Sequence, residues 1–144
     1  MFIQGSNSMF SHKNTVAYDF KMKTGSGIVA AREGVVVAAR GDSDDGGLKP
    51  EHLSDGNYII IRHPDQSESH YWHLMKDGLK VSTGDSVKQG QLIGYSGNTG
   101  YSAFPHLHFE VHDAAGNPIL VRFMTKKGSR YLRPGKFYRR PSEY

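Results

Sequence analysis

The stretch "FPHLHFEVH" (104–112) alternates polar and apolar side chains strictly from His106 onward. On an extended strand, successive side chains point to opposite faces. His106, His108, Glu110 and His112 therefore share one face, and Leu107, Phe109 and Val111 take the other. Such a strand has a core behind it and a polar surface in front. The three histidines and the carboxylate either meet solvent or hold something. Two strand positions span about 7 Å at ~3.3 Å per residue. That spacing lets one imidazole bind a metal while its neighbour reaches a water or substrate beside it.

Working outward, strand-like runs follow one another closely. "VAYDFKM" (16–22), "GIVAA" (27–31) and "GVVVAAR" (34–40) precede "NYIIIRH" (57–63) and "SHYWHLM" (69–75), the last two joined as a hairpin by the polar turn "PDQSE". "LKVSTGDSVKQGQLIGYS" (79–96) breaks into short apolar segments at Thr83-Gly84 and Gln89-Gly90. No helical periodicity persists beyond a turn or two, so the expectation is a mainly β, antiparallel domain. "GDSDDGGLKPEHLSDG" (41–56) reads as a solvated insertion. Its aspartates resemble a calcium loop only faintly, because the twelfth position from Asp42 is Leu53 where a bidentate glutamate is required.

The 144 residues suffice for one domain with a hydrophobic core. With no cysteine, disulfides are excluded and a metal must be held by nitrogen and oxygen. The net charge of +4 is uneven: "RFMTKKGSRYLRPGKFYRR" (122–140) carries eight of the 18 Lys and Arg residues and no acid. This basic, aromatic tail is read as a C-terminal extension (122–144) to a domain spanning 1–121. It accompanies no nucleic-acid motif, and nucleic acid is not an expected partner. No apolar run reaches membrane-spanning length, and "MFIQGSNSMFSH" lacks the features of a signal peptide.

Eight histidines are a rich supply. His12 precedes Asp19 by seven positions, and histidine nitrogen with carboxylate oxygen suits zinc, which in catalytic sites takes three protein ligands and leaves a position for water. Taken alone, the pair is equally a loop histidine and a surface aspartate. In "SHYWHLM", strand alternation puts His73 with Tyr71 on one face and His70 with Trp72 on the other, so at most one of the two histidines should reach a common site. Tyr71 and Tyr101 are candidate groove residues, and the glycine-rich "SGNTGYS" (96–102) is a turn bordering the site rather than a phosphate cradle, since no P-loop lysine or helix follows.

Taken together, "HKNTVAYDFKMKTGSGIVAAREGVVVAA" (12–39), "YWHL" (71–74) and "VKQGQLIGYSGNTG" with "PHLHFEV" (87–100, 105–111) resemble the M23 zinc metallopeptidases, the LytM/lysostaphin-like peptidoglycan endopeptidases. The resemblance covers roughly residues 4–120. It implies a compact antiparallel β-sheet domain whose loops flank a narrow groove with the metal at its floor. It further implies one zinc ion per chain held by His12, Asp19 and His108, with His73 and His106 as catalytic histidines that do not ligate it. Six residues separate His12 from Asp19 where the commonest form of the motif has three, and His70 and His63 are the alternatives to His12. Phe104 stands where glycine is common, which alters a groove wall. Glu110 is a candidate partner for an imidazole, and His112 lies beyond the site.

The resemblance thus implies hydrolysis of peptide cross-links in bacterial peptidoglycan. His106 would take a proton from water, and His73 would stabilise the oxyanion or protonate the leaving amine, with the two roles exchangeable. The implied partners are stem peptides or cross-bridges, and the implied location is the periplasm, the cell envelope or outside the cell. Oligomeric state is open. The alternative is a non-catalytic LytM-like wall-binding or activator module, which is expected to lack the metal ligands that this chain keeps.

Overall fold

The computed structural model describes residues 2–4, 16–44, 46–47, 56–101, 104–133, 135–139 and 141; His12, the side chain of Tyr101 and most of the 41–56 insertion fall outside them. The described residues form strands and no helix. Seven strands make one sheet in the order β1-β2-β11-β7-β6-β4-β8. They are β1 (Phe2–Gln4), β2 (Tyr18–Lys21), β4 (Gly34–Arg40), β6 (Asn57–Arg62), β7 (Glu68–Leu74), β8 (Ser86–Val87) and β11 (His106–His112). Every neighbouring pair is antiparallel. Two-stranded sheets join β3 (Gly27–Val29) to β9 (Leu92–Tyr95), β5 (Gly46–Gly47) to β10 (Gly100–Tyr101), and β12 (Phe123–Thr125) to β13 (Gly128–Arg130). No helix among them is long and apolar enough to cross a membrane.

The β6–β7 hairpin forms as its alternation and polar turn predict, with Ile59 opposite Tyr71 and Ile61 opposite Ser69. Ile59 and Ile61 are fully buried. β11 lies between β2 and β7, with Phe109 opposite both Tyr18 and Tyr71. Those three rings pack together, Tyr71 to Phe109 at 5.2 Å and Tyr18 to Phe109 at 6.5 Å between centroids. Phe123 of β12 closes the cluster, 5.0 Å from Tyr18, 5.8 Å from Phe20 and 5.9 Å from Phe109. Leu132 and Tyr138 pack against the same core. The apolar face of β11 is thus the back of the sheet, sealed partly by the hairpin that follows residue 121. Its polar face is the front.

Tyr71 belongs to the back, not to a groove. It is 1% exposed, and its hydroxyl accepts the Ala31 N–H at 2.8 Å. Its expected groove-lining role is therefore corrected: the alternation that put Tyr71 opposite Phe109 committed it to the core. His63 is also buried there, with Nδ1 donating to the Glu33 carbonyl at 2.6 Å and Nε2 3.0 Å from Ser69 Oγ.

Candidate metal centre

Three strands bring side chains to the front of the sheet. β2 contributes Asp19, 3% exposed, directly opposite His108 of β11. Asp19 Oδ1 lies 3.1 Å from His108 Nδ1 and 3.4 Å from His106 Nε2. A tetrahedron built with ~2.1 Å zinc bonds has an edge of about 3.4 Å, so Asp19 Oδ1 and His108 Nδ1, 3.1 Å apart, stand near ligand spacing. His106 Nδ1 donates to the Phe104 carbonyl at 2.8 Å, which directs its Nε2 at Asp19. The Phe104 ring, 5.2 Å from that of His106, forms the adjoining wall.

The third strand supplies His73, and here the sequence reading fails. Opposite partners across β11 and β7 pair His108 with Trp72 and Glu110 with His70, so Trp72 and His70 face the front. Alternation would send His73 to the back with Tyr71. Instead His73 adopts φ +68°, a left-handed conformation unusual for a residue with a Cβ. That single dihedral turns its ring to the front, 4.6 Å from His106 and 5.8 Å from His108. His70 and His73 thus share the front face, although only His73 joins the cluster with His106 and His108. The donor nitrogens of His73, His106 and His108 all lie within 4.8 Å of one another.

The strained turn is held by groups that the sequence did not flag. His73 Nδ1 donates to the Thr99 carbonyl at 2.6 Å, and Gly97 N–H donates to the His73 carbonyl at 2.9 Å. Thr99 Oγ1 in turn donates to the Leu74 carbonyl at 2.7 Å and accepts Asn57 N–H at 3.0 Å. Asn57, fully buried, spends its side chain on the Ser43 carbonyl, Ser43 N–H and the Leu74 carbonyl. A Cβ on Gly97 would meet the Met75 backbone at 2.6 Å, so only glycine lets this loop approach. The glycine-rich stretch read as a bordering turn thus does border the site. No sequence signal singled out Asn57 or Thr99 within it.

Electrostatics separate the imidazoles. Burial disfavours the cation of His73, and His106 and His108 disfavour it further, holding its pKa down at about 3. For His108, burial works against the cation but hydrogen bonds to Asp19 and Glu110 outweigh it, raising the pKa to about 9 in the metal-free protein. Glu110 is drawn down to about 2: burial opposes its charge, and hydrogen bonds from His108 and His112 overcome that. A buried carboxylate facing several converging imidazoles, with nitrogen and oxygen donors alone, fits zinc. Among the expected ligands, Asp19 and His108 meet; His12 lies outside the described residues. His63 is on the back, and His70 stacks on His112 at 4.2 Å.

A sequence profile of peptidase family M23 matches residues 13–120. The peptidoglycan DD-endopeptidase ShyA of Vibrio cholerae is 39% identical over 101 residues, 70% of this chain and 20% of that protein. The glycyl-glycine endopeptidase ALE-1 of Staphylococcus capitis is 41% identical over 98 residues, 67% of this chain and 24% of that protein. Among solved structures, a zinc-containing peptidase from Vibrio cholerae superposes with a TM-score of 0.65 at 30% identity, covering 83% of this chain and 35% of that one. The chain spans about a fifth to a quarter of the length of the curated relatives it matches.

Proposed function

The chain belongs to peptidase family M23, and from that membership we propose that it is a zinc-dependent endopeptidase that hydrolyses peptide cross-links of bacterial peptidoglycan. The observation that carries this is the convergence of Asp19, His73, His106 and His108 on one buried patch. A non-catalytic module has no need to hold His73 in a left-handed conformation beside two other imidazoles.

In this reading one zinc ion per chain is held by Asp19 and His108, with His12 as third ligand. When bound, the ion supplies Lewis acidity for the peptide carbonyl and makes a water more acidic. The remaining work falls to His106 and His73. A carbonyl oxygen can only accept, so each ring carries its hydrogen on Nδ1 and presents Nε2 to the site as an acceptor. His106 Nε2 stands 3.4 Å from the Asp19 carboxylate. It takes the proton from the attacking water and returns it to the leaving nitrogen as the C–N bond breaks. His73, kept neutral, has no hydrogen left for an oxyanion and serves as an acceptor that orients the water.

The names of the relatives cover two bonds, one DD and one glycyl-glycine. Both belong to cell-wall peptide chemistry, and the envelope or the exterior is the corresponding location. The test combines metal analysis with mass spectrometry of fragments released from purified sacculi. His108→Ala is expected to lose zinc and activity together, whereas His106→Ala keeps zinc and loses activity. Protein prepared with zinc available that holds none, or equal zinc loss in both variants, overturns this assignment of roles.

A further inference from the structure

Glu110 lies between two histidines of its own strand. Its Oε1 is 2.8 Å from His108 Nε2 and its Oε2 is 2.8 Å from His112 Nε2. The His112 ring lies flat on His70 of β7, with centroids 4.2 Å apart and planes 6° from parallel. His70 Nε2 approaches Glu68 Oε1 at 3.4 Å, and the other oxygen of Glu68 accepts Arg62 Nη2 at 2.8 Å. A continuous string of side chains therefore runs along the front of the sheet from Asp19 through His108, Glu110, His112, His70 and Glu68 to Arg62. The strand register builds it, because Glu110 stands opposite His70 and His112 opposite Glu68.

We propose that Glu110 is the positioning residue for His108, and that His112, braced by His70, holds Glu110 in place. The inference rests on His108 being a zinc ligand. A neutral imidazole has two tautomers, and only the nitrogen without hydrogen can bind a metal. With Glu110 as carboxylate, Nε2 must be the donor. That leaves Nδ1, which hydrogen-bonds to Asp19 at 3.1 Å in the metal-free protein, as the nitrogen open to a metal. Glu110 thus reserves Nδ1 for the metal and fixes the ring plane before any metal arrives. A glutamate tied by one oxygen would still rotate about its terminal bond. The second hydrogen bond, to His112, removes that freedom, and the stacked His70 ring limits where His112 can go. The polar face of β11 is therefore one device: a ligand, its positioner and the positioner's clamp at positions 108, 110 and 112.

The experiment measures zinc affinity of the whole chain by competition with a colorimetric chelator, alongside long-range proton–nitrogen NMR of the histidine rings in the zinc-loaded protein. Glu110→Ala is expected to weaken zinc binding roughly ten- to a hundredfold. Glu110→Gln should recover most of that loss, because its amide oxygen still accepts from Nε2. His112→Ala should weaken binding by less than Glu110→Ala does. The wild type and Glu110→Gln should show a single His108 tautomer, protonated on Nε2. Wild-type protein that binds no zinc overturns the metallopeptidase reading and this inference with it. Zinc binding in the wild type that Glu110→Ala leaves unchanged, or that Glu110→Gln weakens as much as Glu110→Ala, overturns the role of Glu110 alone. If Glu110→Ala does not fold, Glu110→Gln near wild type with His112→Ala weakened supports the inference, and the reverse order overturns it.

Discussion

His73 is the residue on which the site turns. Its left-handed φ of 68° costs about 1–2 kcal/mol relative to ordinary strand geometry, and buried hydrogen bonds to the Thr99 carbonyl and from Gly97 N–H offset it. Truncating the ring removes the bond to Thr99 but keeps the backbone bond from Gly97 N–H to the residue 73 carbonyl. His73→Ala should therefore keep its zinc while kcat on purified sacculi falls by roughly a hundredfold or more. Metal loss parallel to the activity loss would instead mark His73 as a ligand. At this scale the sequence was informative where alternation held and silent where one dihedral broke it. Asp19 entered the site only through the resemblance, whereas the shared face of His106 and His108 follows from the alternation because each occupies a regular strand position. The face taken by His73 does not, since nothing in "YWHL" announces a positive φ at a non-glycine residue.

At the scale of elements, β7 joins the two faces. Trp72 and His70 look forward, while Ser69 and Tyr71 look back into a buried polar chain. The carbonyl of Glu33 takes the hydrogen on His63 Nδ1, and Ser69 Oγ stands 3.0 Å from both His63 Nε2 and the Tyr71 hydroxyl, to which it donates. Tyr71→Phe strands Ala31 N–H and loosens Ser69, with an expected cost of about 1–3 kcal/mol in urea unfolding. The same hydroxyl gives a pH signature. Burial raises the Tyr71 pKa, against the hydrogen bonds with Ser69 and Ala31 that lower it. With the folded pKa above the unfolded value near 10, the native state binds the proton more tightly. The corresponding stability is complete below about pH 10 and is lost as pH rises through the folded value. Unfolding midpoints should consequently fall less steeply above about pH 10 in Tyr71→Phe than in the wild type. Strands and hairpins such as β6–β7 were legible because period-two patterning and turn residues act locally. Asn57 and Thr99 were not, because their partners are 14 to 42 residues away and are chosen by the assembled fold.

For the whole molecule, the back of the sheet supplies rigidity and the front supplies chemistry. Phe123, Leu132 and Tyr138 pack on the core cluster, so a chain ending at Val121 is expected to lose at least about 3 kcal/mol of stability and to melt at a lower temperature. An unchanged melting point would make residues 122–144 an appendage. Zinc should couple to the same transition: at a free concentration about a thousandfold above Kd, binding adds about 4 kcal/mol, and a strong chelator should remove that increment reversibly. The buried chain at His63 bears on which histidines can compete for that ion. A protein with eight imidazoles presents a divalent metal with many wrong partners as it folds. His63, buried with Nδ1 giving its hydrogen to a carbonyl and Nε2 3.0 Å from Ser69 Oγ, is out of a metal's reach once the hairpin closes. Closing the fold thus withdraws a decoy. Sub-stoichiometric metal is left to the front of the sheet, where Nδ1 of His108 is already aimed.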